Sequence, residues 1–195
     1  TCFGANLNFA ATEAYKLLRT NLMFSGPSVR VVGFTSFGPG EGKTTLSLQT
    51  AISFAQMGKR VLLVDADLRK SVLAGQLRIR SKVEGLSHYL SGLANISELL
   101  RETDIPGLYI MLAGARVPNS TELLGSENFA RMIPALKDVF DYVIVDAAPV
   151  GQVIDCAVMA PALDGILMVV DTTHNSYKLE RRIKQQLEMA GAKIL

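Results

Sequence analysis

One stretch decides the fold of this 195-residue chain: residues 36–45, with the sequence SFGPGEGKTT. It follows an apolar run at 29–35 and precedes a segment in which Leu48, Ala51, Ile52 and Ala55 recur at helical spacing. A glycine-rich loop between a strand and a helix turns successive backbone N–H groups inward and creates an anion site at the positive end of the helix. The stretch therefore predicts a phosphate-binding loop.

The side chains of this loop predict how a nucleotide would be held. Lys43 is expected to reach the β- and γ-phosphates, and the Thr44 hydroxyl is expected to bind magnesium. Phe37 is a departure, because the common loop has glycine five residues before Gly42. The Asn-Lys-x-Asp pattern that reads guanine is absent, which favours ATP. We predict that Mg-ATP is bound by Pro39, Gly40, Glu41, Gly42, Lys43, Thr44 and Thr45.

Other apolar runs predict the remaining sheet. Residues 61–64, 142–145 and 166–170 are short buried strands that end in Asp65, Asp146 and Asp171, and residues 107–112 form a further strand. Short helical pieces are expected between 71 and 105, and a helix over 176–190. The alternation of strands and helices predicts an α/β protein with a mostly parallel central sheet flanked by helices in three layers, the P-loop NTPase fold.

Carboxylates at strand ends are the second group of candidate site residues. In an open parallel sheet, ligands bind outside the carboxyl ends of the strands, so the loop, Asp65 and Asp146 should lie together. Asp146 fits a carboxylate that holds magnesium through water. Asp65, Asp67 and Arg69 could supply a base, a metal contact and a compensating cation around a γ-phosphate. The alternative is that residues 65–69 form an ordinary solvated loop.

Composition bounds the remaining possibilities. With 49% apolar and 19% charged residues, the chain can bury one substantial core, and we expect a single domain over 1–195, cut at both ends. A net charge of +2 without a basic run gives no support for nucleic acid as a partner. Two distant cysteines fit a reducing, cytoplasmic compartment, and no apolar run reaches membrane-spanning length.

Three motifs together resemble the cytosolic catalytic domain of the bacterial tyrosine kinases of capsular and exopolysaccharide assembly, within the deviant-Walker P-loop group. They are the loop at 35–44 as Walker A, VLLVDADLR at 61–69 as Walker A′, and VIVDAAP at 143–149 as Walker B. Two further stretches are similar to family segments: EAYKLLRTN at 13–21, and PNSTELL at 118–124, where Ser120 replaces the usual proline.

The resemblance implies an ATP-dependent protein-tyrosine kinase, an autokinase that regulates polysaccharide assembly. It assigns catalysis to Lys43, Asp65, Asp67 and Asp146, with Asp65 as the base for the tyrosine hydroxyl. Thr44, Asp67 and Asp146 would serve the metal, and Arg69 is added to the nucleotide site as the compensating cation. A phenol has a pKa of about 10, so a modest carboxylate suffices to accept its proton. The five tyrosines are scattered, whereas the family usually has a C-terminal cluster.

The resemblance also implies partners. Glu13, Lys16 and Arg19 would contribute to a ring-like homo-oligomer; the alternative is a solvated helix face. The domain would lie at the inner face of the cell membrane, attached either through a membrane-bound activator, the polysaccharide co-polymerase segment, or through a missing N-terminal region.

Other functions fit the same fold, among them a metabolic small-molecule kinase, although the sequence shows no separate substrate domain or lid. Another is a dimerising switch ATPase of the partition or septum-positioning type, but the lysine that such proteins carry four residues before Gly42 is Gly38 here. A third is a nucleotide-binding scaffold with little transfer activity.

Overall fold

Alternating strands and helices fill the chain in the computed structural model, which describes residues 9–79, 83–151, 154–171 and 177–195. The strands are β1 (Val31–Ser36), β2 (Val61–Asp65), β3 (Arg101–Glu102), β4 (Leu108–Met111), β5 (Tyr142–Asp146) and β6 (Gly165–Val169). The helices are α1 (Phe9–Phe24), α2 (Lys43–Ala55), α3 (Leu73–Gln76), α4 (Leu86–Leu90), α5 (Ile96–Leu99), α6 (Ser120–Leu124), α7 (Glu127–Val139), α8 (Asp155–Met159) and α9 (Tyr177–Met189). A 3₁₀ turn at Ala160–Ala162 follows α8.

The strands form one sheet in the order β3-β4-β2-β5-β1-β6. All neighbouring pairs are parallel except β3 with β4, which is antiparallel. Beyond β6, Ile194 forms an isolated parallel bridge with Ile166. The prediction of a mostly parallel α/β sheet is therefore confirmed.

Two apolar clusters lie on opposite faces of this sheet. Alternate residues of the strands point to each face, so Val61 and Leu63 pack with α1, α2 and α3, whereas Leu62 and Val64 pack with helices α4 to α9. Every residue of β2 is buried, as expected for a central strand covered on both sides. The predicted three-layer arrangement is confirmed.

The bounds of the predicted strands and helices agree with the structure to within a few residues, but some observed elements were not predicted. Gly58 and Gly191 lie in the left-handed region just after α2 and α9, where helices commonly end. The predicted helix over 176–190 is α9, although Ser176 lies outside the described residues. The predicted strand at 107–112 is β4, but its antiparallel partner β3 and helices α6, α7 and α8 were not predicted. Among the described residues, no helix is both long and apolar enough to span a membrane.

Candidate active site

The glycine-rich loop joins β1 to α2 and has the conformation that phosphate binding requires. Gly40 and Gly42 each have a φ of +85°, which residues with a side chain rarely adopt, and the space where a Cβ would stand is open. The loop leads directly into α2, whose first N–H groups carry the positive end of the helix dipole. The backbone of residues 40–45 can thus hold an anion.

Internal hydrogen bonds hold the backbone at position 37, where Phe37 stands in place of the usual glycine. The Glu41 carboxylate accepts the backbone N–H groups of Phe37 (3.2 Å) and Gly38 (3.0 Å). The carbonyl of Phe37 accepts the N–H of Gly151 at 3.0 Å, and a Cβ at Gly151 would lie only 2.4 Å from that oxygen. The loop can therefore carry phenylalanine at position 37, because Glu41 and Gly151 form hydrogen bonds with its backbone.

Lys43 lies between two carboxylates at the mouth of the loop. Its Nζ is 3.3 Å from Oδ1 of Asp146 and 3.4 Å from Oδ2 of Asp67. It is also 3.3 Å from the Thr44 hydroxyl. Three elements, α2, β5 and the segment after β2, thus bring together four of the residues predicted to bind nucleotide and metal.

Asp65 and Asp146 are register partners at the ends of adjacent strands, and both side chains are buried. Burial raises the pKa of Asp65 to about 7; a hydrogen bond from Ser71 opposes this rise, and the charges of Asp146 and Asp67 add to it. Burial also raises the pKa of Asp146, against the attraction of Lys43. The expected convergence of the loop with both strand ends is observed.

Asp65 does not face the cleft directly. The Ser71 hydroxyl donates to Asp65 Oδ2, and the backbone N–H of Asp67 donates to Oδ1 at 3.2 Å. Asp67, by contrast, lines a cleft of about 360 Å³ in front of the loop. Its other lining residues are Pro39, Gly40, Gly42, Lys43, Thr44, Thr45, Arg69, Lys70, Val72, Gln76, Ala148 and Pro149.

Arg69 borders the same cleft, but its guanidinium is paired with a residue that sequence reasoning did not find. Its Nε is 2.9 Å from Oδ2 of Asp155, at the start of α8, and its Nη2 donates to the Thr121 hydroxyl at 2.8 Å. Asp155 lies 86 residues after Arg69 in the sequence, in a segment without a recognisable motif. Residues 118–124, expected as a loop from the family resemblance, include helix α6, which supplies Thr121 to this contact.

The donor set bears on the predicted magnesium. Among the described ranges, no group of three or more His, Cys, Asp or Glu side chains could hold a metal by itself. The Thr44 hydroxyl and the carboxylates of Asp67 and Asp146 are oxygen donors around Lys43, which suits an ion that keeps several waters and binds nucleotide phosphates. The residues present thus fit a magnesium ion that arrives with a nucleotide.

The residues predicted for self-association lie on α1. Lys16 pairs with Glu13 at 2.8 Å, and both side chains are about half exposed. Arg19 turns inward instead, and its Nη1 donates to the carbonyl (3.0 Å) and the hydroxyl (3.2 Å) of Ser53 in α2. Within the chain, Arg19 therefore joins α1 to α2.

Comparison with known proteins places this site in a family. Residues 29–189 match the model of a family described as AAA domain. The chain is 44% identical over 181 residues to the tyrosine-protein kinase CpsD of Streptococcus pneumoniae, covering 93% of this chain and 80% of that protein. The kinase domain of the Escherichia coli tyrosine kinase ETK superposes with a TM-score of 0.90 at 32% identity, over 94% of this chain and 72% of that one.

A more distant likeness concerns the fold alone. The septum site-determining protein MinD of Pyrococcus horikoshii has a TM-score of 0.69 at 22% identity, over 85% of this chain and 68% of that one. The similarity to CpsD and ETK is higher in identity and extends over nearly the whole chain. The chain belongs to the family of bacterial tyrosine-protein kinases.

Proposed function

We propose that this domain transfers the γ-phosphate of Mg-ATP to tyrosine hydroxyls, on its own chain or on a neighbouring copy. The observation that carries the proposal is the position of Lys43, which lies within 3.4 Å of both Asp67 and Asp146 at the mouth of a loop built for phosphate. Phosphoryl transfer needs mainly positioning of the reactants and stabilisation of the charge on the phosphates. Here the loop amides can supply the positioning, and Lys43 can supply the positive charge.

In the proposed mechanism, the loop amides and Lys43 hold the β- and γ-phosphates. When Lys43 turns to the phosphates, Asp67 and Asp146 become available as oxygen donors, with the Thr44 hydroxyl, for the hydrated magnesium ion. A magnesium ion held there would neutralise charge on the phosphates. Arg69 adds a cation at the edge of the cleft. Pro39, Gly40, Glu41, Gly42 and Thr45 complete the nucleotide site as backbone and lining groups.

Asp65 is the proposed base for the acceptor tyrosine. Its elevated pKa, about 7, matches a group that accepts a proton near neutral pH. Because Ser71 covers one of its oxygens, the Ser71 hydroxyl must rotate away, or carry the proton itself, when the phenol enters. Asp67 has no such requirement, because its side chain already lines the cleft.

The partner proposals concern α1 and the membrane. Leu17 and Phe24, two turns apart on α1, are 62% and 83% exposed, and Leu17 follows Lys16 of the Glu13–Lys16 pair. An exposed apolar strip of this kind supports self-association through α1, with Glu13 and Lys16 at its border. We further propose that the oligomer is ring-like, acts in capsule or exopolysaccharide assembly, and is recruited to the inner face of the membrane by an activating partner segment.

A switch ATPase remains the second candidate, because the MinD-like fold would support it. Against it, position 38 is glycine, so no loop lysine there could reach a partner's phosphates. The two functions differ in product: a switch ATPase releases inorganic phosphate without forming phosphotyrosine, and a scaffold does neither.

The test is incubation of the protein with Mg-ATP and a tyrosine-rich peptide, with and without a membrane-partner segment, followed by mass spectrometry and a phosphate-release assay. Phosphotyrosine should form in the wild type and fall by at least about 100-fold in Lys43→Met, the range for loss of one transition-state donor. Lys59→Met, at the opposite end of β2, should retain activity. Phosphate release without phosphotyrosine in both conditions would favour the switch ATPase.

A further inference from the structure

A buried carboxylate behind the cleft receives hydrogen bonds from two separate parts of the chain. Asp155 is fully buried at the start of α8. Arg69 donates to it through Nε (2.9 Å) and Nη2 (3.3 Å), and the Ser120 hydroxyl donates at 3.1 Å. The Thr121 hydroxyl is a further donor. This group of four residues, the Asp155 cluster, joins the segment after β2 to α6 and α8.

The cluster keeps its carboxylate charged. Burial by itself would raise the pKa of Asp155, but the hydrogen bonds of Arg69, Thr121 and Ser120 leave it below the usual value. A carboxylate paired with two nitrogens of one guanidinium fixes that guanidinium in both position and plane. Arg69 is therefore oriented by Asp155.

In that orientation, one edge of the Arg69 guanidinium can face the cleft. The hydrogen bonds to Asp155 and Thr121 use Nε and Nη2, and Arg69 also borders the cleft together with Lys43 and Asp67. Within the described part of the chain, Nη1 is the guanidinium nitrogen without a hydrogen bond, and it can donate toward a ligand in the cleft. Arg69 follows Asp67 by two residues, so a shift of Arg69 would also disturb the segment that carries Asp67.

We propose that Asp155 is a positioning residue for phosphoryl transfer: together with Ser120 and Thr121 it holds Arg69 so that the guanidinium meets the transferred phosphate. This inference rests on the proposed kinase function and extends it to residues of α6 and α8. It also gives Ser120 a role, because a hydroxyl at this position donates to Asp155, which a proline cannot do.

A double-mutant cycle on the full protein tests the proposal. Arg69→Ala, Asp155→Ala and the double variant are compared for kcat and for KM of ATP. Asp155→Ala should lower kcat by about 10- to 100-fold, as misplacement of a catalytic group does. If Asp155 acts through Arg69, the double variant should lose no more than about 2-fold beyond Arg69→Ala, since independent sites would instead give additive free energies.

The controls separate positioning from folding and from the proposed function. Asp164→Asn breaks a comparable ion pair at the opposite edge of the sheet and should lower thermal stability while kcat stays unchanged. Should Asp155→Ala fail to fold, Asp155→Asn and Ser120→Ala take its place in the cycle. Losses that multiply in the double variant, or an Arg69→Ala enzyme with wild-type kcat, would overturn the positioning role. A wild-type protein without phosphotyrosine formation would instead refute the kinase function.

Discussion

Asp65 and Asp146 end the two central strands of the sheet and are paired directly in register. Two buried carboxylates side by side repel each other, and the Lys43 ammonium offsets this repulsion from the side of Asp146 and Asp67. The two carboxylates therefore have different partners: Asp146 is paired with the Lys43 ammonium, whereas Asp65 accepts hydrogen bonds from Ser71 and the backbone of Asp67. Different roles in the reaction follow from these different surroundings.

The first prediction distinguishes those roles by Asp65→Asn and Asp146→Asn. Asparagine is close in size to aspartate but accepts a proton poorly, so Asp65→Asn should lower kcat by about 100-fold or more, within the range for general-base catalysis. Affinity for Mg-ATP should change little. Asp146→Asn should weaken magnesium-dependent nucleotide binding as well. Single-turnover transfer and equilibrium binding of a fluorescent ATP analogue measure the two effects.

Asp141→Asn is the matched control, since Asp141 precedes β5 at the opposite end of that strand and accepts the N–H of Arg60. It should leave both transfer and binding unchanged. An equal loss of rate and affinity in Asp65→Asn would make Asp65 a metal or nucleotide ligand instead of a base.

The central elements could be predicted from sequence because their signals are local. The apolar runs of β2 and β5 are continuous and end in an aspartate, and the mostly apolar β1 ends at the glycine-rich loop. The rule that parallel strands direct their carboxyl ends to one edge then brought Lys43, Asp65 and Asp146 together. Helix α7 also had a local signal, with Phe129, Met132, Ile133 and Leu136 at helical spacing, but Pro134 interrupts the pattern.

The rest depended on contacts between distant residues. Nothing near Asp155 indicates that it binds Arg69, and nothing in α1 indicates that Arg19 would bind Ser53 in α2. Ser71 likewise gave no sign that its hydroxyl would cover Asp65. Such pairings are set by packing, because only the assembled layers decide which polar side chains meet.

A second prediction concerns Arg19, whose hydrogen bonds attach α1 to α2. Arg19→Ala leaves the polar groups of the buried Ser53 without this donor and should lower the free energy of unfolding by about 1–2 kcal/mol. Lys16→Ala, which removes only an exposed pair with Glu13, should cost less than about 0.5 kcal/mol. Urea denaturation measures both. Equal effects of the two variants would show that Arg19 does not anchor the helix.

A third prediction tests self-association through α1 without disturbing this anchor. Leu17 is largely exposed in the monomer, so Leu17→Glu should not change the unfolding transition of the isolated chain. It should abolish the larger particle seen by sedimentation velocity with nucleotide, because burying a charge at an apolar interface is costly. Leu93→Glu, another exposed leucine, is the control. Oligomers of unchanged size in Leu17→Glu would move the interface away from α1.

The last prediction concerns stability in acid and uses Asp164, which lies away from the nucleotide site. Burial would raise the pKa of Asp164, but the Lys137 ammonium and the N–H groups of Arg30 and Val31 lower it below its usual value. Since the folded-state pKa is the lower one, the unfolded chain takes up the proton first as the pH falls. The stabilisation by Asp164 should thus be complete above about pH 5 and disappear as the pH falls through the folded-state pKa.

Asp164→Asn isolates this contribution. The variant should be less stable than the wild type at pH 7, because the Lys137 ion pair at 2.8 Å loses its charge, and the difference should shrink as the pH falls through about 4, where aspartate in the unfolded chain is protonated. Chemical denaturation at a series of pH values measures the difference between the two proteins. Glu127→Gln, which removes an exposed ion pair with Arg131, should show almost no such dependence. A stability difference between Asp164→Asn and wild type that stays constant from pH 7 to pH 3 would contradict the lowered pKa of Asp164.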